Sequence, residues 1–194
     1  MIVLVVGVPG VGKTSVINEA KKYLKTDLEI ISMGDVIFEL AREKYGINNR
    51  DEIRKKLSLE KQEELQIEAV RKIYEMSKNK DLLLDTHLVI ESSEGFIPGF
   101  FRKTADILKP NGIAVIISDP DKIFLRRLKD AMIRARDIEN LKNIEIQQNM
   151  TIYFTTIFMF EYNTVVKIIN NEEGLLEKAA QQLAEFVDSL KLHK

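Results

Sequence analysis

The chain contains no cysteine, and that one absence removes disulfide frameworks, thiolate metal sites and cysteine nucleophiles together. It fits a reducing compartment, so a cytoplasmic protein is expected. A basic excess is missing as well: 29 Lys and Arg stand against 30 Asp and Glu, a formal net charge of −1. Nucleic-acid binding normally leaves a basic footprint, so no nucleic-acid partner is expected and any anion site must be local. The first apolar run, Ile2-Val3-Leu4-Val5-Val6, lacks a basic leader, is too short for a membrane span and ends in a glycine loop. It reads as a strand rather than a signal peptide, and no membrane association is expected. Internal repeats, low-complexity tracts and Pro/Gly/Ser linkers are also absent, so composition marks no domain boundary. What remains is a chain of 194 residues, 45% apolar and 30% charged, which suits one globular domain over 1–194 with one sizeable core.

Short apolar runs rich in β-branched residues alternate with long amphipathic segments, the pattern of a parallel sheet covered by helices on both faces. The runs are Ile2–Val6, Leu28–Ser32, Leu82–Asp85, Ile113–Ser118 and Thr164–Ile169. Each is nearly continuously apolar, as a strand buried on both faces should be. The fold class expected is therefore α/β, a five-stranded parallel sheet flanked by helices, with ligands at the carboxyl ends of the strands. Helices are expected over about 13–25, 34–45, 50–57, 59–79, 100–108, 120–133, 140–160 and 173–191. Two stretches exceed what simple crossovers need: the charged helices between the second and third strands, and an arginine-rich segment around 126–137. Either could close over a site.

Gly7-Val8-Pro9-Gly10-Val11-Gly12-Lys13-Thr14 fits G-x-x-x-x-G-K-[ST] at every fixed position, directly after a strand and before a helix. The glycines let successive N–H groups face one phosphate, and the helix N-terminus adds partial positive charge. Lys13 is expected to bridge the β- and γ-phosphates, and Thr14 to ligate Mg²⁺. Together with Ser15, this stretch is the expected ATP-binding segment. The run Leu82-Leu83-Leu84-Asp85 ends an apolar strand in a carboxylate, as needed to reach the same Mg²⁺. Arg126, Arg127, Arg134 and Arg136 fall within eleven residues, and forked donors are what a kinase needs where two phosphorylated substrates meet. Guanine readout has no candidate: Asn79-Lys80-Asp81-Leu82 carries its aspartate in the wrong position for N-K-x-D.

These residues, with Gly34-Asp35, Arg50-Asp51-Glu52-Ile53-Arg54-Lys55-Lys56-Leu57, Asp85-Thr86-His87 and Gly95-Phe96-Ile97-Pro98-Gly99, make the chain resemble adenylate kinases of the archaeal type. The similarity runs in order from position 7 to 136, and the strand Val166–Asn170 extends it. The resemblance implies reversible, Mg²⁺-dependent phosphoryl transfer from ATP to AMP, giving two ADP. It also implies a helical AMP-binding insertion over about 34–75, a short lid over about 128–140, and a homotrimer. On that pattern Lys13, Arg127, Arg134, Arg136 and Asp85 are the catalytic set, with Thr14 and Asp85 at the metal. Arg54 would take the AMP phosphate, while Gly34, Thr86, His87 and Phe96 would line the acceptor pocket. His87 has a second reading, a polar residue at a strand end with its hydrogen bonds satisfied. One departure stands out: where bacterial-type enzymes carry an arginine soon after the Gly-Asp pair, this chain has Phe38 and Glu39. More acceptor charge then falls to Arg54, with Arg50 and Arg71 as helpers.

An acceptor phosphate is already ionised, so no strong general base is needed and none is assigned. Two alternatives keep the same loop: another nucleoside monophosphate kinase, or a P-loop ATPase acting in macromolecular assembly. Finally, Ile144–Phe160 is apolar on more than one helix face, which suggests a subunit interface or a helix buried between sheet and lid.

Overall fold

A computed structural model describes residues 1–92, 95–131 and 141–192. Five strands form the expected parallel sheet: β1 (Ile2–Val6), β2 (Glu29–Ser32), β3 (Leu82–Asp85), β6 (Gly112–Ile117) and β7 (Val165–Asn170), in the order β2-β3-β1-β6-β7. The chain adds strands first on one side of β1 and then on the other, so a crevice opens at the carboxyl end of β1. Two further strands, β4 (Val89–Ser92) and β5 (Gly95–Pro98), pair antiparallel in a separate hairpin that is not among the five expected runs.

Strand alternation divides the core between the two faces of the sheet. On one face Leu4, Val6, Leu82, Leu84, Ile113 and Val115 pack beneath α2 (Met33–Tyr45), α4 (Leu59–Ser77), α5 (Arg102–Leu108) and α7 (Leu141–Tyr162). On the other, Val3, Val5, Leu83, Ala114, Ile116 and Ile169 meet α1 (Lys13–Ala20), α6 (Pro120–Ala131) and α8 (Leu176–Leu192). Because β1 is the central strand, Val3, Leu4, Val5 and Val6 are wholly excluded from solvent. Each such side chain contributes roughly 1.5–3 kcal/mol by leaving water. Helix α8 approaches β6 so closely that a Cβ on Gly112 would stand 2.3 Å from Leu190 Cδ1, which is why a side chain is missing there.

The charged insertion is built from capped helices. Ser32 accepts from the Asp35 amide at the start of α2, Asn49 from the Asp51 amide at the start of α3 (Arg50–Lys56), and Ser58 from the Lys61 amide at the start of α4. Each cap satisfies an amide that the first helical turn leaves open. Gly46, in the left-handed region at φ 64°, ends α2. Helix α3 buries no residue, so it rides on the surface rather than in the core. Asp81 of the N-K-D sequence lies at the amino end of β3, where its carboxylate accepts from the Met1 amine (2.6 Å) and Lys191 (2.7 Å). That is the end of the sheet remote from the glycine loop.

Candidate active site

Sheet register brings the separate pieces together. Val5 and Ser32 both stand beside Asp85, so the end of β3 lies between the glycine loop leaving β1 and the Ser32–Gly34 turn leaving β2. The loop is tightly held. Gly10 and Gly12 take φ values of 79° and 94°, where an L side chain is strained. A Cβ at Gly10 would also meet Arg127 Cγ at 2.8 Å, and one at Gly12 would meet Asn171 Nδ2 at 2.5 Å. Gly12 caps α1 directly, leaving the first amides of the helix facing the loop, with Thr14 and Ser15 exposed beside them.

Lys13 is only 6% exposed. Its Nζ donates to the Gly7 carbonyl (3.2 Å), lies 2.9 Å from His87 Nε2 and stands 3.8 Å from Asp85 Oδ1. Burial pushes the Lys13 amine down to about 8, with the Arg127 charge adding to the effect and Asp85 opposing it. Burial also raises the Asp85 carboxyl, against the pull of Lys13, the Thr14 hydroxyl and Arg50. Both shifts have the same leading cause: these charges sit in a dry site, poised for ligands that would complete their solvation.

Divalent-cation chemistry fits this corner. Asp85 Oδ1 is buried without a hydrogen-bond partner, and the Thr14 hydroxyl is close enough to help lower the same carboxyl. No group of three or more His, Asp or Glu arranged to hold a metal ion exists among the described residues. A few protein oxygens completed by phosphates and water is the usual arrangement for Mg²⁺.

The other expected residues divide into several groups. Arg127 reaches the loop: Nε donates to the Pro9 carbonyl (2.8 Å) and Nη2 to Gln147 Oε1 (3.3 Å). Its neighbour Arg126 instead secures the loop from behind, donating to the Val11 and Asn171 carbonyls (3.0 and 3.2 Å). Arg134 and Arg136, and with them most of the lid expected over 128–140, lie outside the described residues. Thr86 is buried with its hydroxyl against Met33 Sδ (3.4 Å), while Phe96 sits half-buried on β5. Gly34 is exposed beneath Arg50, whose Nη1 would stand 3.5 Å from a Cβ there. Arg50 also pairs with Asp35 and is close enough to help lower the Asp85 carboxyl. Arg54 lies exposed on α3. Two contributors had no motif to announce them. Asn171, after β7, donates to the Val11 carbonyl (2.8 Å), and Gln147 on α7 bridges Arg127 to the Val89 carbonyl (3.1 Å). The signal for Gln147 was faint, a pair of glutamines in a helix that carries other polar residues as well.

A glycine loop between β1 and α1, a buried lysine at its end and a carboxylate facing that lysine from the neighbouring strand define a P-loop phosphotransferase fold and site. Solved shikimate kinases from Bacteroides thetaiotaomicron (TM-score 0.60, 14% identity, covering 97% of this chain and 98% of that one) and Acinetobacter baumannii (0.59, 18%, 98% and 94%) share the fold. A family pattern described as an AAA domain matches residues 6–145. Sequence relatives narrow the class. The adenylate kinase of Methanopyrus kandleri is 39% identical over 97% of this chain and 98% of its own length. Those of Pyrococcus horikoshii (37%, 96% and 95%) and Methanocaldococcus jannaschii (37%, 96% and 97%) are similarly related. The chain belongs to the adenylate kinase family.

Proposed function

We propose that the protein transfers the γ-phosphoryl group of Mg²⁺-bound ATP to AMP, reversibly, giving two ADP. The observation that carries this reading is Lys13: its buried ammonium faces Asp85 inside a loop of backbone donors at the crevice of the sheet. Arriving phosphate charge would stabilise such a group further. Gly7 to Ser15 cradle the donor triphosphate, Lys13 follows the charge that develops on the transferring group, and Arg127 approaches from the α6 side. Arg134 and Arg136 close over the phosphates once both nucleotides are bound, which keeps water from the reaction. Thr14 and Asp85 would hold Mg²⁺, which would supply positive charge to offset that of the triphosphate. On the acceptor side Gly34, Arg54, Thr86, His87 and Phe96 receive the monophosphate, with Arg50 joining Arg54 at its charge. Segments 34–75 and 128–140 act as the acceptor-binding insertion and the lid, and the protein works in the cytoplasm. No helix among the described residues is long and apolar enough to cross a membrane.

The protein acts as a homotrimer. Its support lies in α7, where Gln147, Thr151 and Thr155 are buried while Tyr153, Ile157 and Phe160 are 66%, 50% and 78% exposed. Val165 and Ile168 on β7 add to the uncovered apolar surface. Size-exclusion chromatography with light scattering should report three chains; a monomer would refute the assembly. For the reaction, a coupled assay offers ATP with AMP, dAMP, CMP, UMP, GMP or no acceptor. Turnover is expected with AMP foremost. Preference for another monophosphate would reassign the acceptor, and steady hydrolysis without one would reassign the class.

A further inference from the structure

Helix α7 carries a polar stripe on its buried face, and most of that stripe is satisfied within the helix. Thr151 and Thr155 donate back to the carbonyls of Gln147 and Thr151 (2.8 and 2.7 Å). Gln147 is different. It is 1% exposed, and its amide spends neither end on its own helix. Oε1 accepts from Arg127 Nη2, and Nε2 donates to the Val89 carbonyl. The chemistry fixes this orientation, since guanidinium only donates and a carbonyl only accepts. One bond away, Arg127 Nε is tied to the Pro9 carbonyl of the glycine loop. A continuous path therefore runs from the loop through Arg127 and Gln147 to the first residue of the β4–β5 hairpin. Asn143, one turn earlier on α7, ties the same hairpin through Glu91 Oε1 (2.8 Å).

We propose that Gln147 is a positioning residue that fixes the plane of the Arg127 guanidinium and couples its alignment to the acceptor-side hairpin. The inference rests on the assignment of Arg127 to the transferring phosphoryl group. With Nε and Nη2 both held, the planar fork has one orientation relative to the loop. A glutamine that only filled the core would gain nothing over a methionine of similar length, because burying an amide costs free energy that its bonds merely return. Here both bonds cross between elements, and the elements they join are those that carry the donor and line the acceptor.

The test compares wild type, Gln147→Met, Arg127→Ala and the double variant under saturating ATP and AMP, with thermal melting of each. Gln147→Met should lower kcat by roughly tenfold to a hundredfold, as expected when a catalytic group is misplaced by a fraction of an ångström to an ångström. KM for ATP should stay within about twofold, because the loop itself is unaltered. In the Arg127→Ala background the same substitution should cost nothing further, since the residue acts through the arginine. Wild-type kcat in Gln147→Met, or losses that multiply in the double variant, would overturn the inference. If Gln147→Met does not fold, Gln147→Asn replaces it: one methylene shorter, it keeps an amide in the core but withdraws it from Arg127 and Val89, and it is read by the same criteria. Arg127→Ala with wild-type turnover would instead reject the arginine assignment on which the inference rests. Arg127→Ala slow with Gln147→Met fast rejects the glutamine role alone.

Discussion

The donor and acceptor halves of the crevice are built on opposite plans. The donor half is contiguous in sequence, buried and cross-tied: Val11's carbonyl alone receives Arg126 and Asn171. The acceptor half is drawn from scattered segments and carries its charge near solvent, with Arg50 about half exposed and ion-paired to Asp35 on α2. On the proposed reading a pre-formed anion cradle faces Arg50, which would exchange the Asp35 carboxylate for a substrate phosphate. Rigidity therefore belongs to the donor and adjustability to the acceptor.

The largest effect should come from the donor half. Lys13→Ala is expected to lower turnover at least about 10²-fold, comparable to losing one preorganised charge-stabilising donor. Steady-state kinetics in both directions check this, and equal loss with any acceptor would confirm that the defect lies with the donor. Stability offers the next test. With its amine lowered to about 8 in the fold, Lys13 pays a penalty of roughly 3 kcal/mol at neutral pH in the nucleotide-free protein. Between about pH 8 and the unfolded value of 10.5 the native state has already released this proton and the unfolded state has not. Stability must then rise with pH in that window, while below it the penalty is present in full. Surface lysines paired with carboxylates, such as Lys22 and Lys122, titrate in the opposite sense. They are common to a Lys13→Met variant, so the difference between the two denaturation curves isolates Lys13. A difference that stays flat from pH 7 to 10 would mean the site is wet rather than dry.

The smallest effects belong to the acceptor half. Arg54→Ala and Arg50→Ala should each raise KM for AMP about tenfold, the worth of one charge-assisted hydrogen bond, with KM for ATP within twofold. Equal effects on both nucleotides would erase the proposed division.

The same division explains what could be read from the sequence. The loop Gly7–Thr14 was legible because eight consecutive residues make the whole cradle, and β1, β3 and β6 because strands buried on both faces are continuous apolar runs. Helix α1 was read too long, to about residue 25, since nothing apolar marks its end at Ala20; the Tyr23 and Leu24 amides still reach the Ala20 carbonyl beyond it. The β4–β5 hairpin was missed because its strands are mostly half-buried or exposed and make no continuous apolar run, and this pair is fastened from outside by Gln147 and Asn143. Asn171 reaches Val11 across 160 positions of chain. No local signal encodes such a contact; only the completed sheet brings the two together. Arg126 and Arg127 are adjacent and chemically identical, yet one secures Val11 and the other extends past Pro9, a distinction set by helix phase alone.

Helix α7 buries Gln147, Thr151 and Thr155 alongside Ile144 and Phe158 on its inner face, and leaves Tyr153, Ile157 and Phe160 uncovered on its outer one. On the proposed reading its inner face positions an arginine and its outer face receives a neighbouring protomer. An assembly gripping that outer face would make catalysis a colligative matter, with specific activity falling on dilution as protomers part and the melting temperature falling with it. The enzyme would in effect measure its own concentration through one helix.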